Sequence, residues 1–317
     1  MVPQAEFTSY YGRPVINPPV WASPDIPGYL FLGGLSGAAA LLGAGADLSD
    51  RPALAKVAKA GASVAIAGSL VALVHDLGRP ARFLNMLRVL KVTSPMSVGS
   101  WLLAGYAPAI GVAAASSLTG RLKPVGAVAT AASAVLGPAV AAYTAALLSD
   151  TAVPAWHEGY RELPFVFTGS AAMAAGGLGL AGAPTGEAGP ARNLALLGWA
   201  IEAAAFMRMT HRMGVVAEPY SAGRGGGYVR AARVLGAIGA AGAALTAGPT
   251  TALGDGRARR IVAAVSGTAL IGASAATRWG VFHAGMASAR DPKYTVVPQR
   301  ERLARRDAAQ DPTGTCR

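Results

Sequence analysis

The densest group of polar side chains lies at residues 75–88, which read HDLGRPARFLNMLR. His75 and Asp76 end a long apolar run, and Gly78 with the proline two residues later predicts the end of a helix there. A carboxylic acid and an imidazole at a membrane surface, beside Arg79, are able to accept and donate protons. The structural alternative is that these groups only form a salt-bridged cap on the preceding helix.

Two further ionisable groups lie within apolar runs. Tyr143 lies near the same membrane edge, where its hydroxyl is either a proton-exchanging group or an ordinary interfacial tyrosine. Glu202 lies at mid-membrane, where an acid costs about 2.5–3.5 kcal/mol on insertion scales. We expect it to face the bundle interior, as a proton carrier or as a neutral hydrogen-bonded carboxyl. His211 follows about 13–14 Å along the helix, so a proton path through both residues needs water or another residue between them.

The sequence offers few ligands for a redox centre of its own. Cys316 is the only cysteine among 317 residues, so the chain cannot build a disulfide, a Cys-ligated zinc site or an iron–sulfur cluster. A haem held by His75 and His211 is disfavoured because both histidines lie close to the interface, and no C-x-x-C-H motif is present. We therefore expect no haem, no metal and no iron–sulfur cluster here, and any one-electron carrier must belong to another chain.

The composition is typical of a polytopic membrane protein. Apolar residues make up 52% of the chain and charged residues 14%, whereas soluble proteins carry about 25% charged residues. This excludes a disordered chain and disfavours a single soluble domain. The net charge of +12 is expected on loops, where it sets topology and meets lipid headgroups. No basic stripe predicts nucleic-acid binding.

Eight charge-poor runs are long enough to cross about 30 Å of hydrocarbon. They cover residues 26–47, 56–76, 97–118, 124–148, 162–182, 191–213, 229–249 and 258–281. We predict an all-α fold of eight transmembrane helices in a compact bundle, arranged as two four-helix bundles. Residues 1–25 and the basic tail 286–317 are expected outside the membrane domain 26–285.

An even number of spans places both termini at one membrane face, which we call the terminal face. Chemically active side chains are predicted to gather there: His75, His157, His211, His283, Trp21, Trp101, Trp156 and Trp279. Such a one-sided distribution suggests a site or a docking surface. The terminal face also carries more Lys and Arg, which favours a cytoplasmic orientation. Four arginines are expected to snorkel from span ends: Arg192, Arg230, Arg233 and Arg278.

Several motifs together resemble the NrfD / polysulfide-reductase membrane-subunit family. The string DLGRP…FLNM…SPMS, which begins at Asp76, is the most specific of them. The resemblance also covers residues 29–37 at the start of span one and the stretch from Tyr143 to His157. The last two spans carry little of this signal, and residues 300–317 carry none.

The resemblance implies a subunit of a redox complex in the inner cell membrane, not catalytic in isolation. Its implied partners are a ferredoxin-like iron–sulfur subunit, a molybdopterin catalytic subunit and membrane lipid. Its implied substrate is quinone or menaquinone, in electron transport of the kind used in anaerobic respiration. Asp76 and Tyr143 match the family's quinone-site acid and tyrosine, and His75 is added from its position beside Asp76. Further candidates for quinone contact are Arg79, Trp21, Asp25 and Tyr29.

Other functions remain open at this point. One alternative is a secondary transporter, or a proton-translocating membrane subunit without a quinone site. In either, Glu202 would be the ionisable residue at the membrane midplane. Another is a structural anchor with a non-functional quinone site, which the joint presence of Asp76 and Tyr143 argues against. Neighbouring genes for iron–sulfur and molybdopterin subunits would favour the quinone-reactive anchor.

Overall fold

The computed structural model describes residues 14–79, 81–247 and 256–310. Within these ranges the regular secondary structure is helical, without a β-strand. In chain order the helices are α1 (Asp25–Leu48), α2 (Pro52–Asp76), α3 (Arg82–Met86), α4 (Pro95–Thr119), α5 (Lys123–Ser149), α6 (Pro154–His157), α7 (Leu163–Gly182), α8 (Gly189–Met213), α9 (Gly223–Leu245), α10 (Gly256–Arg290) and α11 (Lys293–Gln310). A 3₁₀ helix, Gly214–Tyr220, lies between α8 and α9. Cys316 lies outside the described residues.

Seven helices in the described part of the chain are long and apolar enough to cross a membrane: α1, α2, α4, α5, α7, α9 and α10. The prediction of an all-α polytopic membrane protein is confirmed. α8 has 25 residues and is also long enough, but four charged side chains lower its hydropathy. They are Arg192, Glu202, Arg208 and Arg212.

α8 crosses the bundle beside α7 in spite of those charges. A Cβ atom at Gly176 of α7 would lie 2.4 Å from the carbonyl oxygen of Ala191, near the start of α8. A Cβ atom at Gly198, farther along α8, would lie 2.4 Å from the amide nitrogen of Met173, earlier in α7. The two helices are therefore antiparallel and in backbone contact, which small residues permit. α8 corresponds to the sixth predicted span, residues 191–213.

The long helices form two groups. α1, α2, α4 and α5 pack on one another and make the first four-helix group, and α7, α8, α9 and α10 make the second. α1 also packs on α7 and α10, so it lies at the joint between the groups. Within the first group α1 and α5 cross closely, because a Cβ atom at Gly37 would lie 2.2 Å from the carbonyl oxygen of Gly137. This is the predicted arrangement of two four-helix bundles.

The segments before α1 and after α5 meet the end of α10 at the terminal face. Trp156 of α6 is fully buried. Its ring stacks on Trp21 with centroids 5.5 Å apart and lies 6.0 Å from the Phe282 ring. Its indole N–H donates to the carbonyl oxygen of Val281 at 2.8 Å. These contacts join the segment before α1 to α6 and to α10.

Candidate functional site

The end of α2 is fixed to the segment that leads into α1. The Asp76 carboxylate accepts a hydrogen bond from the backbone N–H of Ala22 at 2.9 Å. His75 Nδ1 lies 2.8 Å from a carboxylate oxygen of Asp25, the first residue of α1. The His75 side chain is 77% exposed and that of Asp25 only 16%. The structure thus brings His75, Asp76 and Asp25 together, with the imidazole on the outer side.

A buried tyrosine lies one turn deeper on α1. Tyr29 follows Asp25 by four positions and therefore lies on the same helix face. Its backbone carbonyl accepts a hydrogen bond from Ser69 of α2 at 3.0 Å. Its hydroxyl interacts with the hydroxyl of Tyr143 from α5. The predicted site residues therefore lie at two depths. His75, Asp76 and Asp25 lie at the terminal face, and Tyr29 and Tyr143 lie one helical turn deeper.

The position of Tyr143 depends on a glycine of α4. The Tyr143 ring lies directly on Gly99, where a Cβ atom would be 1.9 Å from the ring carbon Cζ. No side chain larger than hydrogen fits between them unless the ring moves. Gly99 is a positioning residue that sequence reasoning missed, because a single glycine in a glycine-rich chain carries no signal of its own.

An apolar groove runs along the last two turns of α2. It has a volume of about 430 Å³ and is lined by Leu70, Val71, Val74, His75 and Gly78. Gly78, just after the end of α2, adopts φ +67°, the left-handed conformation that favours glycine. His75 is the polar side chain in an otherwise apolar lining.

The remaining candidates lie farther from this groove. Trp21 stacks on Trp156 rather than on α2, although it directly precedes the residue whose N–H binds Asp76. Arg79 is exposed on the segment that follows α2. The structure therefore gathers His75, Asp76 and their partners, with Arg79 and Trp21 at the margin.

Glu202 and His211 lie on opposite sides of α8. Glu202 is buried and accepts a hydrogen bond from Thr277 of α10, whereas His211 is exposed. Nine positions amount to about two and a half helical turns, which places the two side chains on opposite faces. The structure does not bring them together into one path.

The expectation that Arg278 snorkels from a span end is wrong. Arg278 is fully buried, and its guanidinium donates to the carbonyl oxygen of Phe167 at 2.8 Å. The physical reason is the length of α10, which continues past the predicted span end to Arg290. Arg278 is therefore well inside a helix rather than near its terminus.

A charged cluster at the terminal face was not foreseen. Arg212, near the end of α8, binds the buried carboxylate of Glu162 with contacts of 2.9 and 2.6 Å. It also donates to the carbonyl oxygen of Glu158 at 2.5 Å. The hydrogen bonds from Arg212 hold the pKa of Glu162 below its ordinary value. The pair joins the start of α7 to the end of α8. The two residues are too far apart in the sequence for their spacing to predict this contact.

Within residues 14–79, 81–247 and 256–310, no three His, Cys, Asp or Glu side chains cluster in a way that could hold a metal ion. Residues 15–183 match the family described as polysulphide reductase, NrfD. No curated protein matches the chain. The matched segment is more than half of the 317 residues. It contains His75, Asp76 and Tyr143 but ends before Glu202. The chain belongs to the NrfD polysulphide reductase family.

Proposed function

We propose that this protein is the membrane anchor and quinone-reactive subunit of a multi-subunit oxidoreductase. In this proposal it exchanges electrons between the quinone pool and an iron–sulfur partner. The observation that supports it most is an apolar groove lined by His75, which binds Asp25 and is followed in the chain by Asp76. This constellation lies inside the segment that matches the family.

The groove suits an amphipathic ligand with a polar head. Its volume of about 430 Å³ lies within the 300–1,000 Å³ of typical ligand pockets. Leu70, Val71 and Val74 offer apolar surface to a ring and a prenyl tail, and His75 offers a hydrogen bond at one end. A quinone has this distribution of polar and apolar atoms.

The two groups at the end of α2 are suited to handling protons. Oxidation of a quinol releases two electrons and two protons. Asp25 engages Nδ1 of His75 and leaves Nε2 on the exposed side, where it is able to accept a proton. The hydrogen bond from Ala22 goes to Oδ1 of Asp76, and no described residue donates to Oδ2. One imidazole nitrogen and one carboxylate oxygen are thus available, which matches the need for two proton acceptors.

The proposed partners come from the family to which the chain belongs, and the site at the terminal face suits them. A ferredoxin-like iron–sulfur subunit docked there would lie beside the groove, and a molybdopterin subunit would lie beyond it. We place the complex in the inner cell membrane, with cytoplasmic termini and a menaquinone pool as in anaerobic respiration. Isolated from these partners, the chain is expected to have no turnover.

Replacement of Asp76 tests the proposal. Asp76→Asn keeps the shape of the side chain and its contact with Ala22 but cannot ionise. We expect quinol-linked electron transfer to fall by roughly 10²-fold, within the range of general acid–base catalysis, while the complex still assembles. Turnover is measured in membranes with a water-soluble quinol, and assembly by co-purification of the partner subunits.

Asp150→Asn is the matched control, because Asp150 is an exposed acid at the same face, next to the end of α5. It should leave turnover unchanged. Full activity in Asp76→Asn would reduce Asp76 to a helix-end contact and would contradict the proposal.

One observation favours a second candidate, a proton-translocating subunit without a quinone site. The buried acid Glu202 lies in the half of the chain outside the family match. Binding of a quinone analogue to the purified complex separates the candidates. Loss of that binding in a His75→Ala variant supports the quinone site, and no binding in the unmodified complex supports the second candidate.

A further inference from the structure

The second four-helix group contains a small, partly open cavity between α8, α9 and α10, with Met173 of α7 in its wall. Three polar side chains line it, and the rest of the lining is apolar. The polar residues are Glu202, Arg233 and Thr277, and the apolar ones are Met173, Trp199, Ala203, Phe206, Val229 and Ala232. The interior leaves about 50 Å³ for the centres of water molecules. One buried water needs about 10–15 Å³ by this measure. The cavity therefore has room for a few waters but not for an organic ligand.

Two charged groups in this region each have an unpartnered buried atom: Glu202 lines the cavity, whereas Arg278 follows the lining residue Thr277 on α10 and does not line it. Oε1 of Glu202 accepts a hydrogen bond from Thr277, but Oε2 has no partner among the described residues. Arg278 donates through Nη2 to Phe167 and stacks on its ring at 3.7 Å, but its Nη1 is likewise without a described partner. Buried polar atoms are rarely left without a hydrogen bond, and ordered water is the usual partner where protein supplies none.

Glu202 and Arg278 are close enough to attract each other electrostatically. Among the described ion pairs they are not joined directly. A gap therefore separates a buried carboxyl from a buried guanidinium, and each presents an unsatisfied atom. Because Glu202 lines the cavity, ordered water there would satisfy its Oε2 atom.

The cavity adjoins a larger pocket that reaches the terminal face. That pocket has a volume of about 480 Å³, and its lining shares Val229 and Arg233 with the inner cavity. Arg230, one turn earlier on α9, lines the outer pocket alone. Val229 and Arg233 thus form the neck between Glu202 and the terminal face.

We propose that Glu202, Arg278 and the cavity waters form an internal proton-exchange site that opens to the terminal face past Arg233. Oε2 of Glu202 takes up a proton from a hydrated proton, which leaves a neutral water, and release reverses this step without electron transfer. Three other groups face the carboxyl from the helices packed against it. Arg278 supplies positive charge, and Thr277 and Ser170 supply hydroxyls. Arg233 lines the cavity from α9. The site lies in the second group and does not rest on the proposed quinone site.

Infrared spectroscopy of the full-length protein in lipid nanodiscs tests the proposal. As the pH is lowered, the unmodified protein should gain the C=O stretching band of a protonated carboxyl in an apolar setting. This band should shift promptly when H₂O is replaced by D₂O, because the proton is in contact with water. Glu202→Gln should lose the band, and Glu301→Gln, at an exposed acid on α11, should keep it.

A matched pair of substitutions tests the route. Arg233→Trp fills the neck and should slow the H/D exchange of the band by at least tenfold. Arg230→Trp adds the same bulk at an exposed position that lines only the outer pocket, and should leave the exchange rate unchanged. Equal exchange rates in the two variants would overturn the route past Arg233.

Other results would overturn the site itself. A band that persists unexchanged in D₂O means a dry, packed carboxyl, and no band at low pH in folded protein means that Glu202 does not take up a proton. Should Glu202→Gln fail to fold, Thr277→Val replaces it in the assignment. Loss of the Thr277 hydroxyl should shift the band frequency, and an unmoved band would show that Glu202 is not its source.

Discussion

The two four-helix groups handle their ionisable side chains in opposite ways. In the first group His75 and Asp76 end α2 close to solvent, where His75 binds Asp25 and Asp76 binds the N–H of Ala22. In the second group Glu202 and Arg278 lie deep between helices, each with an unpartnered atom. A site at a helix end is able to admit a large ligand and a partner protein. A site between helices admits only water, so the two groups are suited to different tasks.

The largest effect is expected from a variant that affects the second group alone. Arg212→Met removes the closer of two arginines that bind the buried Glu162 carboxylate, and leaves the exposed Arg208 at 3.7 Å. We expect a loss of about 3 kcal/mol, at the lower end of the range for one partner of a buried ion pair, because Arg212 is 28% exposed. Thermal unfolding in detergent measures it, with Arg302→Met as control. Arg302 binds Glu158 at 50% exposure, and its loss should cost at most about 1 kcal/mol.

The same pair predicts a pH dependence. Arg212 holds the pKa of Glu162 below its ordinary value of 4.5. The pair's stabilisation is therefore full above that ordinary value and is lost as the pH falls through the lowered value in the folded protein. In Arg212→Met the acid-induced fall in melting temperature should be smaller over this window. An identical fall in both proteins would mean that Glu162 does not contribute.

In both groups, the stability of the protein should be equally sensitive to a larger residue at a close helix crossing. Gly37→Ala in the first group places a Cβ atom 2.2 Å from the carbonyl oxygen of Gly137, and Gly267→Ala in the second places one 2.3 Å from that of Gly177. Each should cost about 1–3 kcal/mol through overpacking. Gly45→Ala, on the same helix as Gly37 but with open space around it, serves as the control. A loss in only one group would show that the other tolerates backbone shifts.

A smaller effect should be confined to the first group. Gly99→Ala pushes the Tyr143 ring away from α4, and we expect quinol-linked turnover to fall about tenfold, less than the range for full loss of an acid–base group. Gly105→Ala on the same helix makes an ordinary contact of 3.8 Å and should leave turnover unchanged. The carboxyl band of Glu202 should be the same in both variants, and a change in it would mean that the groups are not independent.

The smallest effect is expected at the surface of the terminal face. Lys293 donates to Glu218 at 2.5 Å and holds the pKa of that carboxyl below its ordinary value. Lys293→Met should cost less than about 1 kcal/mol, because exposed ion pairs contribute little. A loss equal to that of Arg212→Met would remove the distinction between buried and surface pairs.

How far the sequence could predict this molecule depends on how local each signal is. The eight spans follow from runs of apolar residues, and the family motif identified Asp76 and Tyr143 as the residues to examine. Arg278 was misplaced because the end of its helix was set at residue 281, whereas α10 continues to Arg290. The Glu162–Arg212 pair joins residues that only the packing of α7 and α8 brings together. The spacing of residues along the chain does not predict such a pair.

The contact between Asp76 and Ala22 has a consequence for the genetics of this protein. The donor is a main-chain amide, so nineteen of the twenty amino acids at position 22 retain it. Only proline removes it, since proline has no amide hydrogen. Position 22 is therefore free to vary between homologues while the carboxylate keeps its anchor, and a mutational scan would find a tolerant site with a single forbidden residue.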